Sequence, residues 1–271
     1  MTDASPPTSS PTSSPAPDDI PADAPTATML AIGDELLSGR TRDRNIGHLA
    51  GTLQSVGIDL IEVRIVPDRT RTIAAALNEL RGRATYCFTS GGIGPTHDDV
   101  TADAVSLAFG LPCEHDGAAM DLLAAHYERS GKPFTDARRR MARMPRGAAH
   151  IDNPVSVAPG FRIGNVYVMA GVPSVFAAML DAVLPTLARG AAILSETVEV
   201  PGTIGEGDLG GPLAAIDAAH PAVSIGSYPR FEDGRHTVRI VLRGRDAGAV
   251  EAAQRAVTAM LSALAGRTPP L

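Results

Sequence analysis

The sequence contains no tryptophan, one lysine (Lys132) and two cysteines among 271 residues, and only 4% of it is aromatic. With so few rings, a base-stacking platform for single-stranded nucleic acid is not expected. A Schiff-base mechanism has one lysine to draw on, in a polar loop, and is set aside. Cys87 and Cys113 have no CxxC spacing and lie beside Tyr86, Phe88 and Leu111, which reads as two reduced, structural thiols in a cytoplasmic protein. No apolar run approaches the roughly 20 residues of a membrane span. The first basic residue is Arg40, so the positive n-region of a signal peptide is missing. A basic excess is missing too: the formal net charge is −6. Residues 1–26 hold seven of the 22 prolines and four uncompensated acids (Asp3, Asp18, Asp19, Asp23), and read as a disordered Pro/Ser/Thr-rich tail. Removing those four from the 30 acids leaves 26 against 24 Lys and Arg, a near-neutral body that is a poor match for nucleic acid.

What is present is a regular alternation. Short β-branched runs (Met29 to Ile32, Leu60 to Val66, Thr85 to Thr89) alternate with segments of helical period (Asn45 to Val56, Arg71 to Leu80, Thr101 to Phe109). This order predicts a parallel sheet with helices on both faces. Helices are then expected over Gly117 to Arg129 and Thr135 to Met144, a strand around His150, a buried strand over Val166 to Met169, and a helix from Val175 to Leu187 that Pro185 kinks or ends. From residue 196 the order strand, helix, strand, strand, helix suits a small α+β appendage. The expected domains are therefore 27–195, an α/β domain, and 196–271.

The sharpest feature is Thr89-Ser90-Gly91-Gly92-Ile93-Gly94-Pro95-Thr96-His97-Asp98-Asp99-Val100-Thr101, between a strand and a helix. In an open parallel sheet, ligands sit outside the carboxyl ends of the strands. Gly91, Gly92 and Gly94 let backbone amides approach a phosphate, and the helix that follows presents its positive end. No Gly-Lys-Ser/Thr follows, so this is not a P-loop. Asp98 and Asp99 would repel a phosphate unless a divalent cation, Mg²⁺ or alternatively Mn²⁺ or Co²⁺, neutralises it. The bland alternative is a Gly-rich turn with Asp98 or Asp99 as helix N-cap. Gly33-Asp34-Glu35 and Val66-Pro67-Asp68, each at the carboxyl end of a strand, put further acids on the same rim, and Gly171-Val172-Pro173 closes a fourth strand end.

The strings AIGDELLSG, IVPD, SGGIGPTHDDVT, NPVSVAPGF, AGVP and IGSYPR resemble the molybdopterin-binding (MoaB/MogA-like) family, and most of all its CinA-type branch. The resemblance covers about residues 27–265. It implies a three-layer α/β/α fold that binds a small-molecule pterin phosphate or nucleotide with Mg²⁺. It implies metal-dependent hydrolysis of a pyrophosphate such as ADP-ribose or FAD, or, as in the molybdopterin enzymes, adenylyl transfer from ATP; a binding module without turnover is the other alternative. Carried over by position, Asp68 and Asp99 are the catalytic acids and, with Asp98, the metal ligands. Gly91, Gly92 and Gly94 form the phosphate loop, with Ser90 and Thr96 as donors beside it. Gly33, Asp34, Glu35 and Asn45 form the first-strand element, and Gly171 and Pro173 wall the pocket. A homo-oligomer is expected, with no nucleic acid and no membrane partner. Two departures stand out: Val175 replaces the family's acid after its Gly-Val-Pro turn, and Ser156-Val157 replace Gly-Thr before Ala158. The amidohydrolase domain that CinA proteins carry is not expected here, and deamidation with it.

Weaker signals are set aside. Gly205-Glu206-Gly207-Asp208-Leu209-Gly210 spells GxGxxG, yet two acids inside it oppose a pyrophosphate, and helix-start chemistry is the simpler reading. The seven histidines show no paired-ligand spacing; His97 alone lies near the loop. Arg138, Arg139, Arg140, Arg143 and Arg146 read as a solvated helical face or an arm toward an anionic ligand in a neighbouring subunit's pocket, and Tyr228-Pro229-Arg230 as a strand end.

Overall fold

Strand β1 (Thr26–Ile32) lies inside the sheet, flanked on both sides, and, with nearly every residue apolar or small, it is buried from Ala27 to its end. The computed structural model describes residues 24–232 and 235–266; the Pro-rich stretch at 1–23, with its expected disorder, lies outside them. The elements that follow β1 are α1 (Asp34–Leu37), α2 (Asn45–Ser55), β2 (Asp59–Val66), α3 (Thr70–Arg81), β3 (Tyr86–Ser90), α4 (Thr101–Phe109), β4 (Cys113–His115), α5 (Gly117–Arg129), α6 (Asp136–Arg139), β5 (Arg143–Pro145), β6 (Ala149–Ile151), β7 (Gly160–Ile163), β8 (Val166–Met169) and α7 (Pro173–Val183). Six strands form a sheet of order β2-β1-β3-β8-β7-β6. β2, β1, β3 and β8 are mutually parallel, while β7 and β6 run antiparallel at one edge.

Side chains alternate across this sheet, and so do its two cores. Leu30, Cys87 and Val168 face one layer, against Ile73 and Leu77 of α3, Val105 of α4 and Leu123 of α5. Met29, Phe88 and Met169 face the other, against Leu49 and Leu53 of α2 and Phe176 and Leu180 of α7. The result is the three-layer α/β/α arrangement, with a mostly parallel sheet. Burial of Cys87 pushes its thiol up to about 11, and burial also raises Cys113; both are free, which suits inert packing thiols.

The expected helix over Thr135 to Met144 is not one helix. α6 stops at Arg139, a 3₁₀ turn follows over Arg140–Ala142, and Arg143–Pro145 becomes β5, paired antiparallel with β4. Three successive arginines give a helix no apolar stripe to bury, whereas in β5 Met144 is buried and Arg143 makes a two-pronged ion pair with Asp103 of α4. β4 and β7, of three and four residues, are too short to carry a period and had no sequence signal. Pro173 opens α7, two residues before the expected start, and the helix gives way at Leu184 to a 3₁₀ turn containing Pro185.

The described chain divides into two compact units between Ile193 and Leu194. The second consists of β9 (Leu194–Val200), α8 (Glu206–Ala219), β10 (Val223–Glu232), β11 (Arg235–Gly244) and α9 (Ala247–Ala265), with an antiparallel sheet of order β10-β11-β9. Its own core holds Leu209, Ile240, Leu242 and Val257. The GxGxxG string starts α8: Asp208 Oδ2 accepts the Gly205 N–H at 3.2 Å. Tyr228-Pro229-Arg230 lies inside β10 and does not end a strand. Among the described residues no helix is long and apolar enough to cross a membrane.

Candidate functional site

Because β1, β2, β3 and β8 are parallel and in register at their ends (Ile32 opposite Val66, Ala31 opposite Ser90, Ser90 opposite Met169), their carboxyl-terminal loops open on one rim. Backbone hydrogen bonds tie those loops together: Gly33 N–H donates to Val66 O at 3.1 Å and Gly91 N–H to Met169 O at 3.1 Å. The rim surrounds a cavity of about 560 Å³ lined by Glu35, Asp68, Asp98, Asp99, Gly91 to Gly94, Gly171 and Pro173. Ile32, Val175 and Met179 form an apolar wall.

Two glycines are obligatory. Gly91 has φ +107°, and a Cβ there would stand 2.3 Å from Ile32 O; Gly92 has φ +67°, and its Cβ would stand 2.2 Å from Thr101 Oγ1. Thr101 explains that second approach: its N–H donates to Gly92 O at 3.0 Å and its hydroxyl to Gly91 O at 2.9 Å, binding the first turn of α4 to the loop. Neither Asp98 nor Asp99 caps α4, whose N-cap position is Val100.

The acids play different parts. Asp68 accepts the Asp34 N–H on Oδ2 at 2.8 Å. Burial pushes its carboxyl above the ordinary carboxylate range, against the lowering effect of that hydrogen bond, and Glu35, Asp34 and Asp98 add like-charge repulsion. Asp99 Oδ2 accepts both the N–H (2.7 Å) and the hydroxyl (2.5 Å) of Thr96. Asp98 is pulled below the ordinary range, first by that same Thr96 hydroxyl. Thr96 is thus turned onto the loop's own acids and away from a ligand. Asp34 also points elsewhere, pairing with Arg69 at 3.2 Å, and it does not line the cavity. Gly33 serves through its backbone bond to β2. Asn45, buried at the start of α2, donates to Ser90 Oγ (2.7 Å) and Gly171 O (2.8 Å), linking α2 to two of the loops. His97 is exposed, 4.0 Å from Asp98.

A divalent cation can be tested against this donor set. Among the described residues no group of three or more His, Cys, Asp or Glu is placed to hold a metal ion, so a preassembled cage does not exist. A Mg²⁺ that arrives chelated by substrate phosphates needs only one or two carboxylates and otherwise keeps water. Asp68, with only Oδ2 engaged, and Asp98, on the same cavity, suit that mode.

Other lining residues carried little signal of their own. Asn153 is buried, and its amide holds the 153–158 loop, donating to Ser156 Oγ at 2.6 Å and Ala158 O at 2.7 Å while accepting from Val155 and Ser156 N–H. Val157 in this loop has φ 71°, a region a β-branched residue rarely enters. Arg140 of the broken arginine helix reaches the glycine loop from behind, donating from Nη2 to Asp99 O at 3.2 Å. The remaining basic cluster is held structurally: Arg146 pairs with Glu114, and Arg138 and Arg139 lie over the rings of Tyr127 and Phe134.

Comparison with known proteins agrees with this architecture. Residues 28–189 match the family model of a probable molybdopterin binding domain, and residues 193–265 that of the FAD synthase middle domain. A protein of Aeropyrum pernix is 33% identical over 243 residues, covering 86% of this chain and 90% of its own length. A CinA-like protein of Desulfovibrio desulfuricans is 32% identical over 240 residues, covering 85% of this chain and 55% of its own length, so the chain spans about half of that relative. Among solved structures, the protein CinA with unknown function from Thermoplasma acidophilum is 28% identical with a TM-score of 0.56, covering 61% of this chain and 99% of that one. The glycine loop between β3 and α4, the acids at neighbouring strand ends and a matched stretch of more than half the sequence agree: the chain belongs to the molybdopterin-binding domain family, with CinA-like proteins among its relatives.

Proposed function

We propose that the cavity binds a nucleotide or pterin carrying a phosphoanhydride, together with a divalent cation, and that the protein hydrolyses the anhydride. The observation that supports this most is the meeting of the Gly91 to Gly94 loop with Glu35, Asp68, Asp98 and Asp99 on one cavity. Four acids around an anion-binding loop are self-defeating unless the ligand brings positive charge with it. Asp68 and Asp98 would hold the ion, which supplies charge neutralisation and polarisation of the phosphoryl oxygen when bound. Asp99 keeps the loop in shape by holding Thr96, so that its backbone dipoles are already oriented when charge develops on the phosphorus oxygens. The apolar wall of Ile32, Val175 and Met179 accepts a flat ring and excludes water from one side.

The test is hydrolysis of ADP-ribose and FAD with Mg²⁺, Mn²⁺ or Co²⁺. Asp68→Ala and Asp99→Ala should each lower turnover about 100-fold or more; wild-type rates in both variants would remove the catalytic assignment. A second reading, a binding module without turnover, is favoured by one observation, the commitment of Asp99 Oδ2 to Thr96. It predicts a ligand-induced rise in melting temperature with no product.

A further inference from the structure

We infer that Ser156 is a specificity-determining residue, whose hydroxyl donates a hydrogen bond to an acceptor on the nucleoside half of the ligand. The inference rests on the cavity being a nucleotide site. Ser156 lines that cavity from the loop between β6 and β7. Because β7 runs antiparallel to β8, and β6 to β7, this loop opens on the same rim as the carboxyl ends of the parallel strands.

The amide of Asn153 decides what that hydroxyl can do. Its Oδ1 accepts the Val155 and Ser156 N–H groups, each at 3.1 Å, and its Nδ2 donates to Ala158 O at 2.7 Å, so backbone partners fix which way the amide points. The second Nδ2 hydrogen goes to Ser156 Oγ at 2.6 Å. Ser156 Oγ is therefore an acceptor toward its own loop, and among the described residues its hydrogen meets no acceptor. Val157 stays at φ 71° with its N–H on Asn153 O at 3.1 Å, a strained conformation that persists only where the surroundings over-determine it. The loop is thus pinned around Ser156. Few other side chains on the cavity can donate: Asn153 has spent both amide hydrogens, the ionised acids only accept, and the apolar wall offers nothing, which leaves Thr41 and Ser156.

Strand order separates these two donors. Thr41 belongs with the acids, its N–H bound to Glu35 O at 3.1 Å. Along the order β2-β1-β3-β8-β7-β6, Asp68 follows β2, Glu35 follows β1, the glycine loop follows β3, and Val175 and Met179 come from α7 after β8. The loop of Ser156 comes next. Gly160, which opens β7, packs so closely on the apolar wall that a Cβ there would stand 3.2 Å from Met179 Sδ. β7 lies two strand spacings from β3, roughly 10 Å, a distance on the scale of a nucleoside monophosphate. A phosphate on the glycine loop, with its cation at the acids of β1 and β2, leaves the sugar and ring to run along Val175 and Met179 toward Ser156. The aliphatic wall accepts any flat ring, whereas a fixed donor at its far end selects one acceptor position.

The experiment measures by calorimetry the affinities of ADP-ribose, AMP and inorganic pyrophosphate, each with Mg²⁺, for the full chain and for Ser156→Ala. Thermal unfolding checks that the variant is folded. The expected result is that the affinities for ADP-ribose and AMP fall about threefold to tenfold while that for pyrophosphate changes less than about twofold. Ser156→Thr, which keeps the hydroxyl both as acceptor and as donor, should restore both nucleotide affinities to within about twofold of the wild type. An equal loss for pyrophosphate would put the hydroxyl on the phosphates, and no loss for either nucleotide would leave it without a ligand. Either result overturns the inference while leaving the nucleotide reading standing. If the wild-type chain binds none of the three compounds, that reading fails and the inference fails with it.

Discussion

At the scale of single residues, Asp68 is where folding and function pull apart. Its carboxyl is raised above the ordinary 3.8 mainly by burial, so the folded state holds the proton more tightly than the unfolded chain does. Below pH 3.8 both states are protonated and the charge costs nothing. As pH rises through the raised folded value, the carboxylate ionises against Glu35, Asp34 and Asp98, and stability is lost. Asp68→Asn should therefore melt at a higher temperature than the wild type at pH 7, with the gap closing below about pH 4, while its turnover disappears. Melting curves across this pH range check the sign. Gly92 has the opposite character, since it serves the fold and the loop together. Gly92→Ala meets Thr101 at 2.2 Å in a left-handed conformation, and should cost more than about 1 kcal/mol in chemical denaturation while weakening ligand binding.

At the scale of elements, the site is an assembly of strand ends, and Asn45 joins the most of them. Replacing it with Ala leaves Gly171 O and the Ser90 hydroxyl without their donor, for a loss of about 1–3 kcal/mol measurable by denaturant titration. Elements with a strong period and a clean stop were readable beforehand. α4 occupies its expected residues Thr101–Phe109 because the pattern ends at Gly110, which takes the left-handed conformation with φ 64°. β1, β2, β3 and β8 were legible as apolar runs, and with them the carboxyl-end rim. The 135–144 region was not, because what decides its conformation is non-local: pairing with β4 and the Arg143–Asp103 ion pair, neither visible in a ten-residue window. The same limit applied to the site. Glu35, Asp68, Asp98 and the glycine loop could be placed from strand ends, whereas the inward turn of Thr96, the pairing of Asp34 with Arg69 and the Asn153 clamp depend on side-chain directions that spacing does not encode.

At the scale of the whole molecule, the two units carry separate cores, and every lining residue of the candidate site comes from the first. Ile240 is fully buried in the second unit. Ile240→Ala should destabilise that unit by about 2–5 kcal/mol and leave the affinity of the cavity for ADP-ribose unchanged. A fall in that affinity would tie the second unit to the site. Net charge is a weak guide to this molecule: the described residues are near-neutral as a whole, yet Glu35, Asp68, Asp98 and Asp99 gather on one cavity. The central claim is that this cavity hydrolyses a phosphoanhydride with a divalent cation, and the most direct measurement is product release from ADP-ribose with and without Mg²⁺, in the wild type and in Asp68→Ala. The account predicts turnover that requires Mg²⁺ and falls about 100-fold or more in the variant. Turnover that survives both chelation of the metal and loss of Asp68, or saturable ADP-ribose binding with no product in the wild type, would contradict it.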